Sequence, residues 1–350
     1  MKKSIKILLI TLGIIFGLLL LTILILPKPL AKAVYNQNFS VRCSTYKPFA
    51  PKLSDYADLS REKHTFKSDK NQTLVGYKYF YTPDSQKGLV VLAHGFGGGG
   101  HINYLNIIDY FAKNGYLVFA YDATGNDESE GEVVGGLPQG IIDLDYALQY
   151  VKSTQEFQNL PIYLWGHSWG GYSVGSVLKL HPDIKAACVV AGFNSSIDML
   201  ESEGRNIAGS VIDFVLPAFE KLEKELFGEI ASMSILESVE SVDVPVMFIH
   251  CADDRMIPIS TSFDRYYEKF SNDSKYSFVK FEDRGHNYLC FSDEARNYRN
   301  EYNQACNLYA QSVEEVTNEM WFSYDSKNFD TKRAFQLDEE LMSKILEFYQ

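Results

Sequence analysis

Cysteine is scarce and badly spaced for metal. The 350 residues contain five, at positions 43, 188, 251, 290 and 306, with no C-x-x-C pair. That spacing excludes a zinc ribbon and a thioredoxin-type redox motif. Basic charge is also short: 33 Lys plus Arg stand against 45 Asp plus Glu, a formal net charge of −12. Lysines 2, 3, 6, 28 and 32 are the only charges before residue 34, so the remainder is more acidic still. Such a body is a poor non-specific binder of nucleic acid or of an anionic lipid surface. No G-x-x-x-x-G-K-[ST] occurs, and Phe96 interrupts the glycine run that comes nearest to G-x-G-x-x-G, so a nucleotide phosphate loop is not expected. Internal repeats and low-complexity tracts are absent too. With 46% hydrophobic and 22% charged residues the composition is that of a globular chain, not a disordered one.

Long apolar runs are confined to the N-terminus. Residues 7–26 (ILLITLGIIFGLLLLTILIL) carry no charge, and as a helix they would span about 30 Å, one hydrocarbon thickness. Lys2, Lys3 and Lys6 precede the run, which predicts a single-pass anchor with a cytoplasmic N-terminus and the body outside. The competing reading is a signal peptide cleaved at Ala31-Lys32-Ala33, giving a secreted protein. Residues 27–60, with prolines at 27, 29, 48 and 51, read as a stalk. A body outside the membrane would allow a Cys290–Cys306 disulfide and leave Cys43 unpaired. Cys188 and Cys251 lie in apolar strand-like runs and read as buried free thiols.

From residue 61 onward, strands alternate with helices. Strands are expected at 62–68, 73–81, 88–93, 116–121, 162–165, 186–191, 244–250 and 276–281. Helices are expected at 102–114, 138–153, from the turn after 165 to about 180, and at 338–349. This alternation predicts a mostly parallel sheet with helices on both faces. Two stretches exceed an ordinary connection. Residues 195–243 carry Val215, Phe219, Leu222, Leu226 and Ile230 at helical spacing after Pro217, and read as an inserted cap whose apolar face roofs a substrate pocket. Residues 287–335 form a second excursion.

Gly166-His167-Ser168-Trp169-Gly170 is a G-x-S-x-G between a strand and a helix. A sharp turn there lifts the serine hydroxyl above the sheet edge, and the helix N-terminus favours developing negative charge. Gly171-Tyr-Ser173-Val-Gly175 matches the same pattern, but Ser173 would lie inside the helix, so Ser168 is the candidate nucleophile. His94-Gly95-Phe96-Gly97-Gly98-Gly99-Gly100 follows a strand, and its Phe96 amide together with that of Trp169 would form an oxyanion hole. The turn His250-Cys-Ala-Asp253-Asp254-Arg-Met-Ile-Pro258 offers two aspartates, of which the spacing to Pro258 favours Asp254. Arg284-Gly285-His286 follows the last strand and supplies the base. The histidines at 64, 94, 101, 167, 181 and 250 are worse placed.

With these motifs in this order, residues 70–290 and the final helix resemble the α/β-hydrolases, in the branch of monoacylglycerol lipase-like and serine aminopeptidase-like proteins. Cys251 departs from the glycine common at that position, and 287–335 is longer than usual. The resemblance implies a Ser168–Asp254–His286 triad, no metal, no organic cofactor and an acyl substrate. A carboxylic ester or acylglycerol is favoured; peptide and thioester or acyl-transfer chemistry are alternatives, and a scaffold role is disfavoured. The acidic loop Asp127-Glu128-Ser-Glu130-Gly-Glu132 reads as solvated, with recognition of a peptide amine as its functional alternative.

Overall fold

Short β-rich runs bounded by glycine and polar turns decide the layers. The computed structural model of the chain describes residues 26–81 and 86–350. Among the described residues, eight strands form one sheet: β1 (Ser60–Lys67), β2 (Thr73–Phe80), β3 (Leu89–Ala93), β4 (Leu117–Tyr121), β5 (Ile162–His167), β6 (Ala186–Val190), β7 (Val246–Cys251) and β8 (Tyr276–Phe281). Their order is β1-β2-β4-β3-β5-β6-β7-β8. β1 pairs antiparallel with β2, and β2 antiparallel with β4; every other neighbouring pair is parallel. β3, β4, β6 and β7 are buried along their whole length, which is why they read as unbroken apolar runs. Leu89, Val91 and Ala93 face one core while Val90 and Leu92 face the other, the two-residue period of a strand.

The helices are α1 (Pro27–Phe39), α2 (Leu105–Lys113), α3 (Gln139–Ser153), α4 (Trp169–Val177), α5 (Ser196–Ala208), α6 (Ile212–Phe227), α7 (Ile235–Glu240), α8 (Phe263–Phe270), α9 (Asp293–Ser312), α10 (Asn318–Asn328), α11 (Thr331–Ala334) and α12 (Glu339–Phe348). α2 and α12 cover one face of the sheet, and α3, α4, α8 and the inserted helices cover the other. On α12 the stripe Leu341, Met342, Ile345 and Leu346 is buried as its spacing predicts, and each such side chain contributes about 2 kcal/mol on burial. Just beyond it, the Tyr349 hydroxyl donates to the Leu164 carbonyl at 2.6 Å and so pins the C-terminus under β5.

Several expectations are corrected. Among the described residues no helix is long and apolar enough to cross a membrane, and the run at 7–25 lies outside them. The N-terminal transmembrane helix, and the single-pass localisation drawn from it, are therefore not supported by the described residues. Nor does a free stalk span 27–60. α1 occupies its first part and packs Ala31, Tyr35 and Phe39 into the main core. The Ala31-Lys32-Ala33 pattern thus sits inside a helix with Ala31 buried. All five cysteines are free, so Cys290 and Cys306 form no disulfide. The helix expected after Pro217 begins earlier, at Ile212, and contains that proline.

Candidate active site

The turn after β5 is built for crowding. Ser168 sits at φ 58°, ψ −117°, a conformation costly for a residue with a Cβ. It is held there by its own amide, which donates to Val190 O at 2.8 Å, and by its carbonyl, which accepts from Tyr172 N at 2.9 Å. Glycine is obligatory on both sides: a Cβ at Gly166 would lie 2.2 Å from the Gly170 carbonyl oxygen, and one at Gly170 would lie 2.0 Å from that of Ala93. α4 starts at once with Trp169, whose indole donates to Leu137 O at 2.7 Å. Ser173 lies buried within α4 and donates its hydroxyl to Trp169 O at 2.8 Å, so it faces no cavity.

The three side chains named from the sequence meet. His286 Nε2 is 2.8 Å from Ser168 Oγ, and His286 Nδ1 is 2.7 Å from Asp254 Oδ2. The other oxygen of Asp254 accepts the Met256 and Ile257 amides, each at 2.9 Å. Burial alone would raise the Asp254 carboxyl; the hydrogen bond and charge of His286, the Ile257 amide and His250 outweigh it and hold the group below the usual range. Asp253 points elsewhere. Its Oδ1 accepts the Gly285 amide at 2.7 Å and the Cys251 thiol at 2.8 Å. The Cys251 sulfur in turn accepts the Arg284 amide at 3.0 Å. Asp253 and Cys251 therefore stitch the acid turn to the histidine turn. The sequence reading gave neither that role, because the partner amides are more than thirty residues away.

Phe96 and Trp169 also arrive together, their rings edge to face with centroids 5.7 Å apart. Among the described residues neither backbone N–H has a protein acceptor. The Gly95 amide is occupied, donating to the Tyr104 hydroxyl at 3.0 Å. That hydroxyl lies 3.0 Å from His167 Nδ1, and His167 Nε2 lies 2.9 Å from the His286 carbonyl oxygen. A carbonyl only accepts, so Nε2 carries the proton and Tyr104 donates to Nδ1. Burial and then the nearby charge of His286 lower the His167 pKa to about 3, so the ring stays neutral. His94 is likewise buried with a lowered pKa; its Nε2 accepts the Ala123 amide at 3.0 Å. Tyr104 and His167 were missed as site residues. The adjacency of His167 to Ser168 was the available signal.

Ser168 and His286 open on a cavity of about 430 Å³, within the range of small-molecule sites. Its walls come from the glycine loop, from Tyr46 and Phe49, and from the excursion after β8 (Tyr288, Phe291, Phe335). No residue of 195–243 lines it. The expected roof is thus corrected: Val215 and Phe219 of the stripe are buried in the core cluster that also holds Ala31, Tyr35 and Phe39 of α1, Leu222 and Ile230 pack against that cluster, and Leu226 is exposed. None of the four carboxylates of the acidic loop lines the cavity, Glu132 is exposed, and the other three are engaged with the protein itself. The Asp127 carboxylate accepts from Thr45 N, Thr45 Oγ1 and Gly100 N at 2.6 to 2.8 Å. Glu128 binds Lys63 and the Tyr77 hydroxyl, and Glu130 accepts the Thr73 amide. Among the described residues one cluster has metal-ligand spacing, Glu62, His64 and Glu156; Lys78 bridges its two glutamates, and none of the three lines the cavity.

Comparison with known proteins agrees with this architecture. The family model described as serine aminopeptidase, S33 matches residues 84–224. The chain is 29% identical over 132 residues to the quorum-quenching protein AidA of Acinetobacter baumannii, covering 35% of this chain and 42% of that protein. It is 28% identical over 145 residues to the monoglyceride lipase of Rattus norvegicus, covering 40% and 46%. The chain thus spans less than half the length of these curated relatives. An esterase of known structure from Pyrococcus furiosus shares the fold, with a TM-score of 0.53 at 17% identity over 76% of this chain and 95% of that one. The elbow between β5 and α4, the strand order and these matches converge on the α/β-hydrolase fold, and residues 84–224 are similar to the serine aminopeptidase, S33 family.

Proposed function

We propose that the protein is a serine hydrolase of carboxylic esters, acting through Ser168, His286 and Asp254. The observation that carries this reading is the hydrogen-bonded chain Ser168–His286–Asp254 at the mouth of a cavity, beside two backbone amides without protein acceptors. His286 Nε2 takes the Ser168 proton as Oγ bonds to the ester carbonyl carbon. The carbonyl π electrons move onto oxygen, where the Phe96 and Trp169 amides receive the charge; one such donor contributes about 3 kcal/mol in the transition state. Collapse breaks the carbon–alkoxy bond, and the proton on His286 leaves with the alcohol. His286 then deprotonates water, which attacks the acyl-enzyme and frees the carboxylic acid and Ser168. Asp254 fixes the imidazole tautomer and stabilises its cationic form.

Aminopeptidase chemistry has less support, since of the carboxylates at 127, 128, 130 and 132 that would receive a peptide amine none lines the cavity, and the first three are engaged with the protein itself. The test is hydrolysis of short p-nitrophenyl esters, aminoacyl amides and acyl thioesters by wild type, Ser168→Ala and Ser173→Ala. Ester turnover lost only in Ser168→Ala, together with loss of fluorophosphonate labelling, is expected. Full activity in Ser168→Ala overturns the assignment, and faster amide than ester turnover overturns the substrate class.

A further inference from the structure

The chain carries 45 acidic residues, yet among the described residues no acid lines the cavity, and the one permanently charged side chain that does is Arg299 of α9. Its guanidinium carbon stands 4.7 Å from the ring centre of Phe335, 5.0 Å from that of Phe291, 5.4 Å from that of Tyr288 and 5.7 Å from that of Phe329. Its Nε donates to the Ala334 carbonyl at 2.8 Å, and the Tyr288 hydroxyl is within its reach. Burial draws its pKa downward, and no carboxylate acts on it to oppose that.

Five acids of the same excursion, and Asp338 just beyond it, are engaged elsewhere, while Glu314, Glu315 and Glu319 are exposed and do not line the cavity. Asp325 accepts the Tyr46 and Tyr302 hydroxyls. Asp330 caps α11. Glu294 and Glu301 pair with Arg333, Asp338 with Arg284, and Asp293 with Arg296. Arg299 is therefore a half-buried cation without an ion-pair partner among the described residues. A desolvated guanidinium lacking a carboxylate is costly unless an anion arrives. Rings stacked around it fix the fork, so that little side-chain freedom is lost on pairing.

We infer that the cavity is built for an acyl substrate bearing an oxyanion group, a carboxylate or a phosphate, which pairs with Arg299 while the ester reaches Ser168. This deepens the proposed esterase reading and rests on it for the reaction, though not for the binding. The anion would be held by the excursion after β8, so substrate choice would reside in α9 and α11 and not in the 195–243 insertion.

The test compares matched ester pairs. Mono-p-nitrophenyl glutarate is set against its methyl ester, which places the charge on the acyl side. para-Acetoxybenzoate against its methyl ester places it on the leaving group, and para-acetoxyphenyl phosphate replaces carboxylate by phosphate. In wild type, kcat/KM for at least one anionic member should exceed its neutral partner by about tenfold or more, since one desolvated ion pair readily supplies that factor. Arg299→Met should bring the ratio to about one while leaving neutral-ester turnover within about threefold, and Arg299→Lys should retain most of the preference. The neutral esters report folding and Ser168 chemistry separately: loss of their turnover would indict the esterase reading and not Arg299.

Calorimetric binding of monomethyl glutarate, para-acetoxybenzoate and para-acetoxyphenyl phosphate against their neutral or dephosphorylated counterparts, in Ser168→Ala protein with and without Arg299→Met, reads recognition without hydrolysis. No anionic preference in either assay, or a preference untouched by Arg299→Met, overturns the proposal.

Discussion

The side chain of His167 and the main chain of His286 are joined: Nε2 of the first lies 2.9 Å from the carbonyl oxygen of the second. His167, the residue before Ser168, thereby fixes the main chain of His286, the proposed base. Because Tyr104 bridges His167 to the Gly95 amide, the elbow, the glycine loop and the histidine turn form one hydrogen-bonded unit. His167→Ala should cut kcat by about a hundredfold, the cost typical of displacing a reacting group by about an ångström. KM should change little. Steady-state kinetics on a neutral ester checks this, with fluorophosphonate labelling showing that Ser168 is still accessible.

The adjacent aspartates should separate by phenotype. Asp254→Asn leaves His286 in the wrong tautomer and should lower kcat by about ten thousandfold with the fold intact. Asp253→Ala removes the acceptor of the Gly285 amide and the Cys251 thiol. That should cost about 1–3 kcal/mol of stability and loosen the histidine turn, without abolishing turnover. Denaturant unfolding and ester kinetics on both variants distinguish the two patterns; an inactive Asp253→Ala with an active Asp254→Asn would reverse the assignment.

Buried Glu223 makes stability pH-dependent. It accepts hydrogen bonds from Ser196 Oγ at 2.6 Å and from the Tyr35 hydroxyl at 3.1 Å, while its second oxygen has no partner. Burial raises its pKa from 4.5 to about 7, against the opposing pull of those two donors. The folded state therefore binds the proton more tightly than the unfolded one. The associated stability is fully present below about pH 4.5 and is lost as pH rises through about 7. Glu223→Gln should be more stable than wild type by up to about 3 kcal/mol above pH 7, a difference that shrinks toward pH 5. Thermal melts across that range check the sign; a gap that widens on acidification would refute it.

The insertion and the excursion should differ in what they govern. Phe219→Ala leaves a hole between α6 and α1 and should cost about 3–5 kcal/mol, with little effect on KM for esters. Phe335→Ala or Phe49→Ala opens the cavity wall and should raise KM severalfold at a smaller stability cost. Parallel unfolding and kinetic measurements separate these outcomes.

What the sequence made legible was local. The β3, β4, β6 and β7 runs, bounded by turns, announced strands covered on both faces, and the glycines of the elbow announced the turn at Ser168 because only they survive that crowding. The meeting of Ser168, Asp254 and His286 followed from their places after β5, β7 and β8. What stayed hidden was long-range pairing. The stripe on α6 has the same period whether it roofs a ligand or meets α1, and spacing alone does not say which partner covers it. Proline in 27–60 suggested a stalk, but Pro27 and Pro29 stand in the first turn of α1, where a missing N–H costs nothing. Arg299 carried no signal, since an unpaired cation is visible only once every acid around it has been given a partner.

Arg42 reaches across the fold and grips three carbonyls, those of Gly131, Asp127 and Ser129, at 2.6 to 2.8 Å. Asp127 in turn clasps Thr45 and the amide of Gly100, at the far end of the loop that begins with His94. The span matched by the family model starts only at residue 84. Trimming the gene to that boundary would discard the clamp along with α1, leaving the loop that presents the Phe96 amide without its outer tether. A fragment that keeps this tether must reach back at least to Arg42, and one that also keeps α1 in the core must reach back to Pro27.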